Sequence, residues 1–298
     1  MPVMSILPQG GSIYSPHTGG THQRAARQEV KGWSTASIGR LKKWLLSVDP
    51  EQLTGEGYAL TLTMRDTPTD VKDWVKLKHG FFQEVTRLEG YQRHLWVIEW
   101  QQRGTPHIHL TIYGGADIGE SAKKVWQRMT EGLYGSQSRG QFVTKLYDAN
   151  GWLDYCQKHY SKGAENYQRA TMITGWEKSG RMWGYGGDWP LMDPLLANLG
   201  YKQHVVIKRL AKRTRASRAA YLAKFDQSRR DYHMNQYRYW SKSHEHVKVD
   251  PAHPNKVKYL SRVHGFTHSW NESQARVVLG WVQSNIDVNE KCQSMQLP

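Results

Sequence analysis

Cysteine is almost missing from this chain, with two residues, Cys156 and Cys292, among 298. So few exclude a disulfide framework and a cysteine zinc cage, and a reducing, cytoplasmic setting is expected. Long apolar runs are missing as well. No stretch approaches the roughly 20 residues that a membrane span needs, so no membrane partner is expected. Residues 1–28 lack an apolar block behind a basic start, the mark of a secretory signal. Acidic residues are scarce beside basic ones, 26 against 41, which gives a formal charge of +15 and a pI near 9.7. Phenylalanine is rare too, with 5 residues beside 13 tryptophans and 16 tyrosines.

What is present follows from those shortages. A positive excess of this size favours a polyanionic partner, most simply nucleic acid, because phosphate neutralisation releases condensed counterions. Rings with a polar handle suit base stacking as well as core edges. A length of 298 residues allows one large domain or two modest ones. Mean hydropathy of −0.72 describes a polar, soluble chain.

Residues 1–34 are rich in Gly, Ser, Pro and His without periodicity, and read as a mobile arm. A short amphipathic helix is expected over 35–47, with Ile38, Leu41, Trp44 and Leu45 on one side. The segment 58–64 alternates, with Leu60, Leu62 and Met64 facing one way and Thr61 and Thr63 the other, as in a half-buried strand. A helix follows over 70–88 with Thr69 as its expected N-cap. Strands at 94–101 and 107–113 flank a Gly-containing turn, a hairpin signal. A helix over 119–131, a strand near 141–146 and a helix near 151–162 complete the order. The pattern predicts an α+β fold, a central antiparallel sheet with helices packed on it. The domain expected to carry the chemistry spans 35–190, with a basic, mainly helical region over 191–298.

Chemistry-bearing residues concentrate at the hairpin. On a strand His107 and His109 share one face while Ile108 and Leu110 point into the core. Two imidazoles so placed can bind one divalent ion. Glu99 sits on the preceding strand, and a register that sets it opposite His107 or His109 makes it a third ligand. A slip of one residue would remove it. Imidazole with carboxylate suits Mn²⁺ or Mg²⁺, and zinc is accommodated too. With 14 histidines in the chain, roughly one His-x-His pair is expected by chance. His244-Glu-His246 is such a pair, in a basic stretch without strand alternation.

On the expected helix 151–162, Tyr155, Lys158, His159 and Lys162 fall on one stripe. Trp152, Cys156 and Tyr160 fall on a more apolar one. Tyr155 is therefore the tyrosine available for chemistry, and Tyr160 the structural one. A phenol with a free pKa of about 10 is a weak nucleophile. A neighbouring cation such as Lys158 and a polarising metal are the usual remedies. An ordinary solvated helix face is the plainer reading of the same stripe.

Three motifs in order, Leu60-Thr-Leu-Thr63, His107-Ile-His109 and Tyr155-x-x-Lys158, resemble those of the HUH endonucleases. The likeness is to their replication-initiator branch, found in rolling-circle plasmids, single-stranded DNA phages and small circular DNA viruses. Glu99-x-x-x-Arg103-Gly104-x-Pro106-His107 and Gly180-Arg181-Met-Trp183-Gly184 strengthen it, over roughly residues 55–190. The resemblance implies a metal-dependent enzyme that nicks and rejoins single-stranded origin DNA, and Tyr155 attached to a 5′-phosphate. A two-tyrosine hand-over would place a second tyrosine four residues on, where this chain has His159. Gly114-Gly-Ala-Asp-Ile-Gly119-Glu120-Ser121 has Glu120 where a phosphate loop needs lysine, so unwinding falls to a host helicase and synthesis to a host polymerase.

Further DNA contacts are expected from Lys162, Arg181 and Trp183, and from the basic run holding Lys208, Arg209, Lys212, Arg213 and Arg215. The partners expected are single-stranded DNA and an origin hairpin. Other readings keep the same surface: a transposase or mobilisation enzyme, a non-catalytic DNA-binding protein, or a metal hydrolase without a covalent intermediate.

Overall fold

The computed structural model describes residues 2–14, 32–147, 166–170, 175–176, 179–225, 230–231, 234, 247–250, 253–259 and 272–294. In chain order the elements are β1 (Val3–Leu7), β2 (Gly10–Tyr14), α1 (Thr35–Ser47), β3 (Glu56–Leu62), α2 (Val71–Thr86), β4 (Arg93–Trp100), β5 (Pro106–Gly114), α3 (Ile118–Tyr134) and β6 (Phe142–Leu146). Then come α4 (Tyr167–Ala170), β7 (Trp183–Gly187), β8 (Leu195–Asn198), α5 (Tyr201–Phe225), β9 (Val247–Asp250), β10 (His253–Tyr259) and α6 (Glu272–Ser294). They fall into two compact units, residues 22–191 and residues 1–21 with 192–298. No helix among the described residues is long and apolar enough to cross a membrane.

The unit spanning 22–191 is built on one antiparallel sheet of five strands, in the order β6-β3-β5-β4-β7. Period-two patterning gives the sheet two different faces. One face carries Leu60, Leu62, Trp96, Ile98, Ile108, Leu110 and Ile112, and α2 and α3 cover it with Trp74, Phe81, Phe82 and Trp126. Lys78 of α2 is buried among these rings and donates from Nζ to the carbonyls of Ser179 and Arg181. Burial pushes its pKa down to about 8. The opposite face carries Thr61, His107, His109, Val97 and Glu99. Over β4 and β7 it is covered by α1, whose Trp44 stacks on Tyr185 at 4.5 Å and meets Trp189 edge-on at 5.0 Å.

The α+β architecture and α1 are as expected, and several details differ. The cap of α2 is Asp70 rather than Thr69: its carboxylate accepts from the Lys72 amide at 2.8 Å. The glycine-rich stretch after residue 180 carries no strand pattern, yet Trp183–Gly187 forms the fifth strand. Its glycines are there for space, since a Cβ on Gly184 would lie 2.6 Å from the Trp96 ring and one on Gly186 2.7 Å from the His94 ring.

In the other unit, β1 and β2 form a hairpin and β1 also pairs with β8. The segment read as a mobile arm therefore begins with ordered structure. Met4, Ile6 and Ile13 are buried against Leu199 and Ile207 and against Ala275, Leu279 and Val282 of α6. Val3–Leu7 is too short to show a period, and one of its two partner strands, β8, lies about two thirds of the chain away.

Candidate metal centre

The hairpin of β4 and β5 builds the site. Its turn closes through the Gly104 amide, which donates to the Gln101 carbonyl at 2.8 Å, and Gly104 takes φ +83°, a region that favours glycine. This turn fixes the register, and Glu99 lies directly opposite His107 while Val97 lies opposite His109. Paired residues share a sheet face, so Glu99, His107 and His109 converge. One ligand atom from each lies within 4.8 Å of the others. All three are buried, with exposures of 0%, 9% and 7%.

Strand β3 orients one ligand. Thr61 pairs with His109 across the sheet, and its Oγ1 is 3.2 Å from His109 Nδ1. With the Nδ1 proton given to that hydroxyl, Nε2 presents its lone pair to Glu99 Oε2, 3.3 Å away. In that tautomer the two lone pairs face one another and fit a divalent metal ion, whereas with the proton on Nε2 the same contact is an imidazole–carboxylate hydrogen bond. Imidazole nitrogen with carboxylate oxygen suits Mn²⁺ or Mg²⁺, and also zinc.

The other carboxylate oxygen faces a second cation that sequence reasoning missed. Arg169 of α4 is buried, and its guanidinium lies 4.0 Å from Glu99 Oε1 and 4.1 Å from the Trp33 ring centroid. Trp33 is held in turn by its Nε1, which donates to the Ile98 carbonyl at 2.9 Å. A carboxylate taken out of water needs such compensation. Thr61 was legible as a residue of the polar strand face. No local signal singled out Arg169.

The remaining sequence-derived residues are placed as follows. Tyr155, Lys158 and Lys162 lie outside the described residues. Arg181 is exposed just before β7. Trp183 begins β7, pairs with Val97 and is partly buried, with its Nε1 donating to Ser37 Oγ at 3.2 Å. Lys208, Arg209, Lys212, Arg213 and Arg215 lie on α5 in the other unit, where Arg209 and Arg213 are exposed.

Comparison with known proteins points to one family. The family model for the replication-associated protein ORF2/G2P matches residues 57–169, a stretch that holds the three clustered ligands and Arg169. The replication-associated protein G2P of Pseudomonas phage Pf3 is 36% identical over 213 residues, covering 69% of this chain and 75% of that protein. A protein of Xylella fastidiosa (strain 9a5c) that carries a provisional replication-protein name is 36% identical over 204 residues, covering 67% of this chain and 71% of its own. No solved structure matches the chain significantly. With relatives this similar over most of their length, the chain belongs to the replication-associated protein ORF2/G2P family.

Proposed function

We propose that the protein is a rolling-circle replication initiator that nicks and rejoins single-stranded origin DNA. The observation that carries this is the convergence of Glu99, His107 and His109 on one sheet face, in a chain of a replication-associated family. Glu99, His107 and His109 would hold a divalent ion, Mn²⁺ or Mg²⁺, which when bound polarises a phosphate. Tyr155 attacks a backbone phosphorus through its phenolic oxygen. The new O–P bond replaces the P–O3′ bond, the phenol gives up its proton, and the departing 3′ oxygen takes one up. The products are a 5′-phosphotyrosine and a free 3′-OH that a host polymerase extends. Lys158, one turn along the same expected helix, supplies positive charge beside the phenolate. Transesterification keeps a phosphodiester bond throughout, so the same tyrosine can be displaced when ends rejoin.

Two further parts of the reading rest on charge. The exposed Arg209 and Arg213 of α5, with Lys208, Lys212 and Arg215 on the same helix, track the phosphate backbone of the origin, so its binding weakens with salt. Strand opening is left to a host helicase. Because His159 stands where a second tyrosine would be, a single-tyrosine scheme, or one in which water or a second protomer closes the cycle, replaces a two-tyrosine hand-over.

The test is incubation of the full chain with labelled single-stranded origin DNA and Mn²⁺, followed by denaturing electrophoresis. A protein–DNA adduct is expected, lost in Tyr155→Phe and with chelator. Product formation by Tyr155→Phe would replace the covalent reading with a hydrolytic one. A wild-type chain that binds the DNA but never cuts it would leave a binding protein.

A further inference from the structure

The face of the sheet that carries Glu99, His107 and His109 is covered unequally. Over β4 and β7 it is covered by Trp44, which packs on Tyr185 and Trp189. At its other edge, strand β6 is largely exposed. Phe142 pairs with Thr61, and Thr61 pairs with His109, so Phe142 lies on the same face and in the same cross-strand row as the metal ligand. It is 69% exposed. A large apolar ring so exposed costs hydration, whereas Phe81 and Phe82 pack against one another in the core.

A basic cavity is lined by the residues that lead into β6, up to Gly140, two positions before Phe142. Where the chain leaves β3 and where it enters β6, Arg65, Arg103 and Arg139 line a cavity of about 220 Å³, with Ser136 and Gln137. That is below the roughly 300–1,000 Å³ of small-molecule sites and suits a single anionic group. Arg103 is anchored on the Met64 carbonyl, Arg139 on Gln137 Oε1 and Arg65 on Asp66. Each guanidinium has five donors, so these contacts leave others for an anion. The cavity walls are held by Gln141, whose Oε1 accepts from the Thr63 amide at 2.7 Å and whose Nε2 donates to the Thr63 carbonyl at 3.0 Å. Gln141 is the residue immediately before Phe142.

We infer that Phe142 and the Arg65–Arg103–Arg139 cavity form a nucleotide subsite for single-stranded DNA beside the metal centre. One base stacks on the Phe142 ring and an adjoining phosphate enters the cavity. The charge selects a polyanion, and a stacking ring on an open sheet edge selects an unpaired base over a duplex. The subsite rests on the proposed nicking function only for what the bound strand is then used for. It predicts binding that needs neither Tyr155 nor metal.

The experiment measures binding of a fluorescent single-stranded oligonucleotide to the full chain with chelator present, by anisotropy at several salt concentrations. Phe142→Ala is expected to weaken binding by about ten-fold, Phe142→Leu by a similar factor, and Phe142→Trp to preserve it. Arg139→Gln is expected to lower the slope of log affinity against log salt by about 0.7, the value for one phosphate on a single strand. Both side chains are exposed, so melting temperatures should match the wild type, and Arg139→Gln gives a second readout should Phe142 variants fold poorly. Wild-type affinity and salt slope in both Phe142→Ala and Arg139→Gln would overturn the subsite. Phe142→Leu binding as well as wild type would overturn stacking. Adduct formation with Mn²⁺ is scored in parallel on the wild type. Its absence beside the expected binding losses refutes nicking and leaves the subsite standing, while its presence beside unchanged variant binding does the reverse.

Discussion

Replacing Thr61 with valine tests whether the cluster is a metal centre or a buried polar patch. The substitution keeps the β-branched shape that β3 needs and removes only the hydroxyl, whose oxygen lies 3.2 Å from His109 Nδ1. Partners that orient a ligating histidine are worth roughly 10–100-fold in metal affinity. At a Mn²⁺ concentration about 100 times the wild-type Kd, the ion stabilises the folded chain by about 2.7 kcal/mol. With affinity weakened by those factors, the same concentration gives only about 0.4–1.4 kcal/mol. For a unit of this size, each kcal/mol moves Tm by about 2–4 °C, so a wild-type rise of about 5–10 °C should shrink to about 1–5 °C. The variant also loses a hydrogen bond without metal, so the quantity to compare is the difference between Mn²⁺ and chelator in each protein. Calorimetric melting supplies that difference and isothermal titration supplies the two Kd values. Equal Mn²⁺ affinity in Thr61→Val and wild type would refute the orientation of His109 by Thr61.

Two more perturbations address the surroundings of the site and the core. Arg169→Ala removes the cation 4.0 Å from Glu99 Oε1 and should cost about 3 kcal/mol without metal, because the carboxylate stays buried. Saturating Mn²⁺ should recover part of that loss by replacing the missing charge. Equal losses with and without Mn²⁺ in urea unfolding would show that Arg169 serves packing alone. His94 is buried against Phe82 and bonded through Nδ1 to the Tyr91 hydroxyl at 2.7 Å, and burial pulls its pKa from 6.5 down to about 4. Below pH 6.5 the unfolded chain takes up a proton that the folded chain refuses. The stability His94 contributes is therefore present above that value and lost as pH falls through about 4. Between pH 7 and 4.5 the loss is about 2–3 kcal/mol. His94→Phe should flatten this part of the urea-midpoint profile, and an unchanged acid slope would refute the assignment.

The fold was legible where one local rule decided the outcome. Helical spacing puts α1 where it lies, and the alternation of Leu60 and Leu62 with Thr61 marks β3, although the strand runs over Glu56–Leu62 rather than 58–64. The strand Trp183–Gly187 breaks that rule. Its glycines give no strand signal because the reason for them is tertiary: the rings of Trp96 and His94 occupy the space of two missing side chains. The N-terminal hairpin was hidden for a related reason. β1 is stabilised by β8 and by apolar residues of α6, and no window of sequence contains both sides of that packing.

The site divides along the same line. His-x-His alone was no stronger than chance, and His244-Glu-His246 shows how cheaply it arises. What made His107 and His109 readable was the short glycine turn, because it limits register and register decides whether Glu99 shares their face. The observed pairing of Glu99 with His107 removes the alternative in which the carboxylate points to the core. Arg169 had no such local constraint. It reaches Glu99 from a short helix well beyond β5 and stacks on Trp33, drawn from the segment before α1. A buried carboxylate on a strand nevertheless carries a general demand: its charge must be paired and its remaining lone pairs hydrogen-bonded. Once the hairpin set one oxygen of Glu99 towards His109, the other required a partner of opposite charge from elsewhere in the chain. The sequence could pose that requirement without showing which of its 41 basic residues would meet it.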